Sequence, residues 1–433
     1  ERLNRMLTGK YAGIGAIIKY CQDKKHVVID YPYANTPASG AGFEMGDVIL
    51  AIDDTTMLDR TTEFVSSHLR GEAGTQVKVK VKKRADGKVV TKTITRETIK
   101  LPEIPTSFVM NIEGKKVGVI NLSEFTQGCY DNFKSAFLDL KRKGMERLVI
   151  DIRGNGGGSV QEAVDIINMF IARGELVVQT RGKNAQLDHE YKTTKDPADL
   201  QIPLIVLVDD DSASASEILA GCMQDLDRAN IVGVKTYLPS GRCIQARNYN
   251  KGKAESVADS LKHVFYTRNG REVVDGSGIA PDIEIKADTL PRIVYYLNVA
   301  DSTELIHNFV CSYLNKHKDI PTSEHFSLAD ADYDEFKLMV VAADFKYDPF
   351  TEKVLKNLKE VAEVEGYDNN SKAEFEALEN KLKHNLDYDL DFNKKQIKSL
   401  LEYYIMIGKH GYSEGLTNNY KYDNVFLKAV KEF

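Results

Sequence analysis

Long apolar runs are missing from this chain. Nothing in it approaches the ~18 consecutive apolar residues of a membrane span. The five cysteines (Cys21, Cys129, Cys222, Cys243 and Cys311) are odd in number, widely spaced and never arranged as C-x-x-C. That pattern argues against both a disulfide framework and a zinc cluster. The nine histidines form no H-E-x-x-H, which excludes a metalloprotease helix. There is no internal repeat and no low-complexity tract. Neither a metal nor a cofactor is expected.

Charge of one sign is also lacking. The 58 basic and 64 acidic side chains leave a formal net charge of -6, a poor balance for binding nucleic acid. The short clusters Lys82-Lys83-Arg84 and Lys141-Arg142-Lys143 read as solvated faces. Hydrophobic residues at 42% and charged residues at 28% fit a globular chain. With 433 residues, two to four domains are expected.

The texture of the chain divides it. Residues 1–10 read as the end of a helical segment; since the chain opens inside it, the absence of a signal peptide carries no weight. Residues 11–101 are β-rich. Val77, Val79 and Val81 alternate with lysines, Asp86-Gly87 supplies a turn, and Val89 to Ile94 returns as the second arm of a hairpin. Thr61 to Leu69 suits a short helix. Pro102 and Pro105 mark an extended linker. Residues 102–287 alternate strands with helices: Val117 to Leu122, Tyr130 to Lys143, Leu148 to Ile152, Val160 to Ile171, Ile205 to Val208, Ser216 to Leu226, then Ile231-Val232. This is a layered α/β core. Residues 288–433 turn helical, with helices expected over Phe350 to Val364, Lys372 to His384 and Phe392 to Gly408.

The strongest local signal is the buried strand Ile205 to Val208, followed by Asp209-Asp210-Asp211 and Ser212-Ala213-Ser214-Ala215-Ser216-Glu217, then a helix. A strand that turns into a helix presents a side chain beside free N–H groups and the positive end of the helix dipole, where an oxyanion is favoured. Ser214-x-x-Glu217 is equally a capping box. A second turn, Arg153-Gly154-Asn155-Gly156-Gly157-Gly158, ends another buried strand. Open α/β layers place sites at such strand ends. Its glycines could aim N–H groups at an oxyanion, hold a phosphate, or only shape the turn, although both nucleotide-loop spacings are absent. The three aspartates read as a solvated turn favourable at a helix start rather than a cation site. Cys222 reads as core, and Asp225 could orient the site or equally be a solvated helix carboxylate.

Together the two turns resemble the C-terminal processing (tail-specific) serine peptidases. Asp151 through Gly158 matches that family's D-x-R-x-N-x-G-G. Ser212 through Ile218 matches S-A-S-A-S-E-I, followed by Gln224-Asp225 and Asp227-Arg228-Ala229. Pro239-Ser240-Gly241-Arg242-Cys243-Ile244-Gln245 and Gly276 through Asp282 resemble its downstream blocks. Tyr11 through Ala16 and Gly42 through Ile49 look like its PDZ module. The resemblance implies a multidomain α/β protein: a PDZ-like β-rich module, a crotonase/Clp-like layered α/β peptidase core and a helical C-terminal region. It implies a Ser–Lys mechanism with Ser214 as nucleophile. The oxyanion would be held by the N–H of Ala215 and by one from Gly156, Gly157 or Gly158. Gly13, Ile14 and Gly15 would bind a substrate's carboxyl terminus. The implied partners are proteins or peptides with accessible C-termini, with a homo-oligomer possible in principle. The implied setting is extracytoplasmic, in a bacterial periplasm.

One segment departs from the family pattern. Val232 through Thr236 opens the stretch that carries T-F-G-K-G-x-V-Q, but Tyr237 begins the later motif at once, so the lysine and glutamine are not in place. Lys235 precedes the threonine, where the family varies, and is not read as the base. Either the chain is an inactive, tail-binding scaffold, or residues between Thr236 and Tyr237 are absent from the sequence. The second is expected, because clean loss of a hairpin would leave its sheet neighbours unpaired.

Overall fold

The computed structural model describes residues 10–21, 24–180, 189–233, 248–250, 253–255, 264–274, 279–286, 289–300, 304–367 and 370–433. The chain forms two compact units, each drawn from separated stretches. One is built on Ala12–Ile99 and Thr289–Tyr422, the other on Lys100–Asp288 and Asp423–Phe433.

The β-rich module follows its hydrophobic alternation. Strands β1 (Ala16–Cys21), β2 (His26–Pro32), β3 (Val48–Ile52), β4 (Gln76–Lys82) and β5 (Val89–Thr95) form an antiparallel sheet in that order. Val77, Val79 and Val81 of β4 are buried while the lysines between them stay in solvent. A period of two buries one face only when the register is kept, and here Lys82 pairs with Val89 across the expected turn. Helix α1 (Thr62–Leu69) starts where Thr61 Oγ1 accepts the Phe64 N–H at 3.3 Å. It packs Val65 and Leu69 into a core with Ile14, Ile29 and Ile49. Strand β1 lies at the sheet edge, beside α1.

The α/β core is a six-stranded sheet. Strands β6 (Thr106–Ile112) and β7 (Lys115–Asn121) are antiparallel. From β7 onward, β8 (Arg147–Asp151), β9 (Leu204–Val208), β10 (Asn230–Gly233) and β11 (Ile283–Glu284) pair in parallel, in chain order. Parallel neighbours need crossovers. Helix α2 (Cys129–Arg142) connects β7 to β8, α3 (Val160–Asn168) follows β8, and α4 (Ala215–Asp225) connects β9 to β10. Every residue of β9 is buried, as a strand covered on both faces requires. Because Asp151 pairs with Leu207, the turns that leave β8 and β9 emerge side by side.

The last stretch of the chain, although helical, belongs to this core. The helix Asn424–Ala429 contacts β9 and β10 and buries Val425, Phe426 and Ala429. Asn230 Nδ2 donates to Glu432 O at 2.9 Å, and the Arg147 guanidinium sits 5.3 Å from the Phe433 ring centre.

In the other unit the helical region includes α5 (Leu305–Lys316), α6 (Asp330–Ala342), α7 (Phe350–Val364), α8 (Lys372–Leu382) and α9 (Lys394–His410). Phe309, Val310, Phe336, Val340, Leu401 and Ile405 form its core, joined by Met45 from the β-rich module. Arg84 fastens the two parts: Nε donates to Met45 O at 2.8 Å, and Nη1 donates to Cys311 O at 3.0 Å and Asn315 Oδ1 at 2.7 Å. Cys21, Cys129, Cys222 and Cys311 are free and buried. Among the described residues no helix is long and apolar enough to cross a membrane.

If the last helix is part of the core, Phe426→Ala should destabilise the protein by about 3 kcal/mol, within the range for fully buried phenylalanines. Exposed Lys428→Ala should change stability by less than about 0.5 kcal/mol. Denaturant unfolding of the two variants checks this; equal midpoints would contradict it.

Candidate active site

The turn after β8 is held from both sides. Asp151 accepts from Arg153 Nε at 2.9 Å and Nη2 at 2.6 Å, which folds the arginine back along the strand end. Arg153 Nη2 also meets Asp423 Oδ2 at 2.6 Å. Asp423 Oδ1 in turn accepts the Phe426 N–H at 2.9 Å and caps the last helix. Burial opposes charge on Arg153, but Asp151 and Asp423 outweigh it, and its pKa is raised above the ordinary arginine value. Gly154 N–H donates to Asp209 Oδ1 at 2.9 Å. That carboxylate also takes the Asp211 N–H and the Ser212 hydroxyl, so Asp209 ties the two turns together and is not merely solvated.

Asn155 has no exposed surface and joins three segments. Its Nδ2 donates to Leu122 O at 2.9 Å, and its Oδ1 accepts the Gly157 N–H at 2.8 Å. Its backbone carbonyl accepts the Ala213 N–H at 3.1 Å and the Ser216 hydroxyl at 2.8 Å. The glycine turn therefore lies directly against the Ser212–Ser216 turn. A β-carbon on Gly157 would stand 2.7 Å from both Ala213 O and Ser214 Cβ, closer than atoms pack. With φ of +105° as well, only glycine fits there. Phe125 completes the brace: its N–H donates to Gly157 O at 3.0 Å and its carbonyl accepts the Ser159 N–H at 2.7 Å.

Ser214 is exposed and has φ 58° and ψ −111°. An ordinary N-cap is extended and accepts a bond with its side chain. Thr61, Ser159 and Asp423 of this chain do so, with φ between −68° and −75°. Ser214 differs in its backbone: it forms a capping box with Glu217 at the head of α4, yet its φ is positive. Glu217 supplies the other half of the box, accepting the Ser214 N–H on Oε2 at 2.8 Å. Burial raises the Glu217 pKa, and this bond works against the rise. A serine at positive φ stores about 1–3 kcal/mol of strain, and here the strained residue is exposed.

Of the expected oxyanion donors, Gly157 has its N–H engaged by Asn155. The N–H groups of Gly156, Gly158 and Ala215 donate to nothing among the described residues. Ala215 is the first residue of α4, where helix amides are unpaired. Asp225 closes the other end of α4, about 16 Å along its axis, and is not brought to Ser214. Gln224 instead binds Ala280 O and Asp282, and Arg271 bridges Asp227 to Asp282, which ties Arg271, Ala280 and Asp282 to the far end of the helix. Lys235, Thr236, Tyr237 and Pro239 through Gln245 lie outside the described residues.

In the β-rich module the Gly13-Ile14-Gly15 loop enters β1. Its carbonyls face inward: Ile14 O accepts the Ala38 N–H at 2.8 Å, and Gly15 O accepts the Tyr33 N–H at 2.9 Å and the Thr36 hydroxyl at 2.9 Å. The N–H groups of Ile14 and Gly15 donate to nothing among the described residues. Ile18 of β1 and Phe64 of α1 are half-buried on the same core.

Sequence reading missed three of these roles: Asn155 as the staple, Phe125 as the brace, and Asp423 as the partner of Arg153. A buried polar residue within a glycine run was the available signal for the first; nothing local marks the other two.

Asn155→Ala would leave Leu122 O and the Gly157 N–H unpaired where water has no access. We expect a loss of about 2–3 kcal/mol, together with faster amide exchange over the Ala213–Ser216 turn. Exchange in that turn indistinguishable from the parent protein would contradict the staple.

Comparison with known proteins finds matches along most of the chain. Residues 116–285 match the model of Peptidase family S41, residues 13–95 that of the PDZ domain, and residues 293–433 that described as "Probable PDZ-protease, C-terminal helical domain". The chain is 32% identical over 230 residues to a carboxyl-terminal-processing protease of Synechocystis sp., covering 53% of each chain. It is 28% identical over 290 residues to a "Probable CtpA-like serine protease" of Staphylococcus epidermidis, covering 66% of this chain and 55% of that one. The chain thus spans about half the length of these relatives. Among solved structures, a photosystem II D1 C-terminal processing protease is 27% identical, with 70% of this chain and 80% of that one covered and a TM-score of 0.34. The matched segments follow one another along the chain, so that a Peptidase family S41 core, residues 116–285, stands between a PDZ domain and a helical domain of the PDZ-protease type.

Proposed function

We propose that this chain is a serine endopeptidase that cleaves proteins at or near their C-terminal region, with Ser214 as the nucleophile. The observation that carries the reading is the backbone of Ser214: exposed, at positive φ, at the head of α4 and against a glycine turn. In this reading the Ser214 hydroxyl attacks the scissile carbonyl and gives its proton to a lysine amine kept neutral by burial. The oxyanion is held by the Ala215 N–H and by that of Gly156 or Gly158. Collapse expels the amine product, which takes the proton back from the lysine. Water then hydrolyses the acyl-enzyme by the same route. The lysine is not assigned by any motif in the sequence.

The PDZ domain selects the substrate in the same proposal. A terminal carboxylate accepts bonds from the Gly13-Ile14-Gly15 loop, and the peptide adds as a strand to the open edge of β1, beside α1. The extracytoplasmic, periplasmic setting belongs to this proposal and rests on family resemblance. An inactive tail-binding scaffold is the second reading, favoured by the departure from the family pattern at Thr236-Tyr237.

Ser214→Ala should abolish cleavage of an unfolded protein while leaving the melting curve nearly unchanged. Turnover by the folded variant would remove Ser214 from the mechanism. An inert parent protein that still binds tails would establish the scaffold reading. Peptides with a free carboxyl terminus should bind at least about tenfold more tightly than their amidated forms, since a charged acceptor is lost from the loop. Equal affinities in a titration would contradict tail capture.

A further inference from the structure

The Lys82-Lys83-Arg84 cluster is not one uniformly solvated face. Lys83 Nζ donates to Asp47 Oδ2 at 2.5 Å and to Gly42 O at 2.7 Å, and Arg84 holds Met45, Cys311 and Asn315. Lys82 differs: its amine has no ion pair among the described residues, and neither does that of Lys24.

Both lysines line a cavity of 430 Å³, within the range of about 300–1,000 Å³ that small-molecule sites occupy. Its floor is apolar. Val48 and Leu50 belong to the sheet face opposite the α1 core, where they pack with buried Cys21 and Val28. Lys82 stands directly across the sheet from Val48. His26 Nδ1 donates to Lys24 O at 2.6 Å and fixes the turn that carries Lys24. Cys311 of α5 borders the cavity from the helical side. Burial pushes the Cys311 thiol up to about 11, while the Arg84 and Lys24 charges pull against the rise. The thiol is therefore uncharged at neutral pH, and the Lys24 charge is felt at the cavity wall. No acidic side chain lines the cavity among the described residues.

We propose that this cavity binds a small anion with an apolar body. Its carboxylate or phosphate head lies against Lys24 and Lys82, and its hydrocarbon rests on Val48, Leu50 and Cys311. Two cations without an acidic partner supply charge-assisted bonds to such a head, and the apolar floor supplies the contact area. None of the lining residues belongs to the Gly13-Ile14-Gly15 loop or to the Ser214 turn, so the site stands apart from tail capture and from hydrolysis.

The test is titration calorimetry of the intact chain with sodium octanoate and, in parallel, with octyl phosphate. At least one should bind with a dissociation constant below about 1 mM, and the tighter of the two identifies the head. Acetate, which lacks the body, and 1-octanol, which lacks the charge, should each bind at least about tenfold more weakly. Lys24→Ala combined with Lys82→Ala should weaken the tighter ligand at least about tenfold and leave the melting curve unchanged, since neither amine is paired within the described residues. Absence of binding by both amphiphiles, or equal binding by the double variant, would overturn the proposal. So would displacement by a peptide with a free carboxyl terminus, which would move the ligand to the Gly13-Ile14-Gly15 loop. Binding to phosphatidylglycerol vesicles but to neither monomeric amphiphile would overturn it in favour of a lipid surface.

Discussion

Asn155 is the point on which the site depends. It contributes both polar ends of its side chain and its backbone carbonyl to three different segments, and none of it meets water. A buried amide stripped of one partner costs the full desolvation of the group left behind. The loops after β8 and β9 are therefore not independent: moving either breaks bonds among the buried groups around Asn155. The parallel pairing of β8 with β9 brings the loops adjacent, and Asn155 fixes their register.

That constraint explains how an unfavourable backbone can persist at Ser214. Strained residues survive only where their surroundings over-determine them. Ala213 N–H and the Ser216 hydroxyl are both bonded to Asn155 O, and Ser214 N–H to Glu217, so the residues on either side of the strain are fixed. Gly157 closes the third side at a distance that admits no side chain. The caps Thr61, Ser159 and Asp423, by contrast, lie in unstrained extended backbone. At Ser214 a capping box with Glu217 coexists with a positive φ, a combination that Thr61, Ser159 and Asp423 do not show.

Much of the fold was legible because it follows periodicity. The alternation of Val77, Val79 and Val81 fixed a hairpin and its buried face, and the unbroken apolar run of β9 marked a strand buried on both faces. Helix α7 begins and ends where its pattern does. Helix α9 starts at Lys394 rather than Phe392, because residues up to Phe392 form the separate helix Leu386–Phe392 and Asn393 turns the chain between them. Ser214 and the glycine turn stood out because strand, small residues and helix start adjoin in sequence. The contacts that hold them did not, because Phe125 and Asp423 are distant along the chain and carry no local signature.

The same distance dependence accounts for the fate of the helical region. Composition marks everything after Ala287 as helical, and composition cannot say which core a helix joins. Amphipathic helices go wherever apolar surface is left. Helices α5, α6 and α9 bury theirs in the unit that also contains Met45 and Arg84. The segment after Tyr422 buries Phe426 and Ala429 on the α/β sheet and sets Asp423 against Arg153. Arg153 immediately precedes the glycine turn. Removing one partner of a largely buried ion pair leaves the other charge uncompensated, so the electrostatic balance of that turn includes a residue more than two hundred positions away. The end of the chain is thereby part of the support of the site.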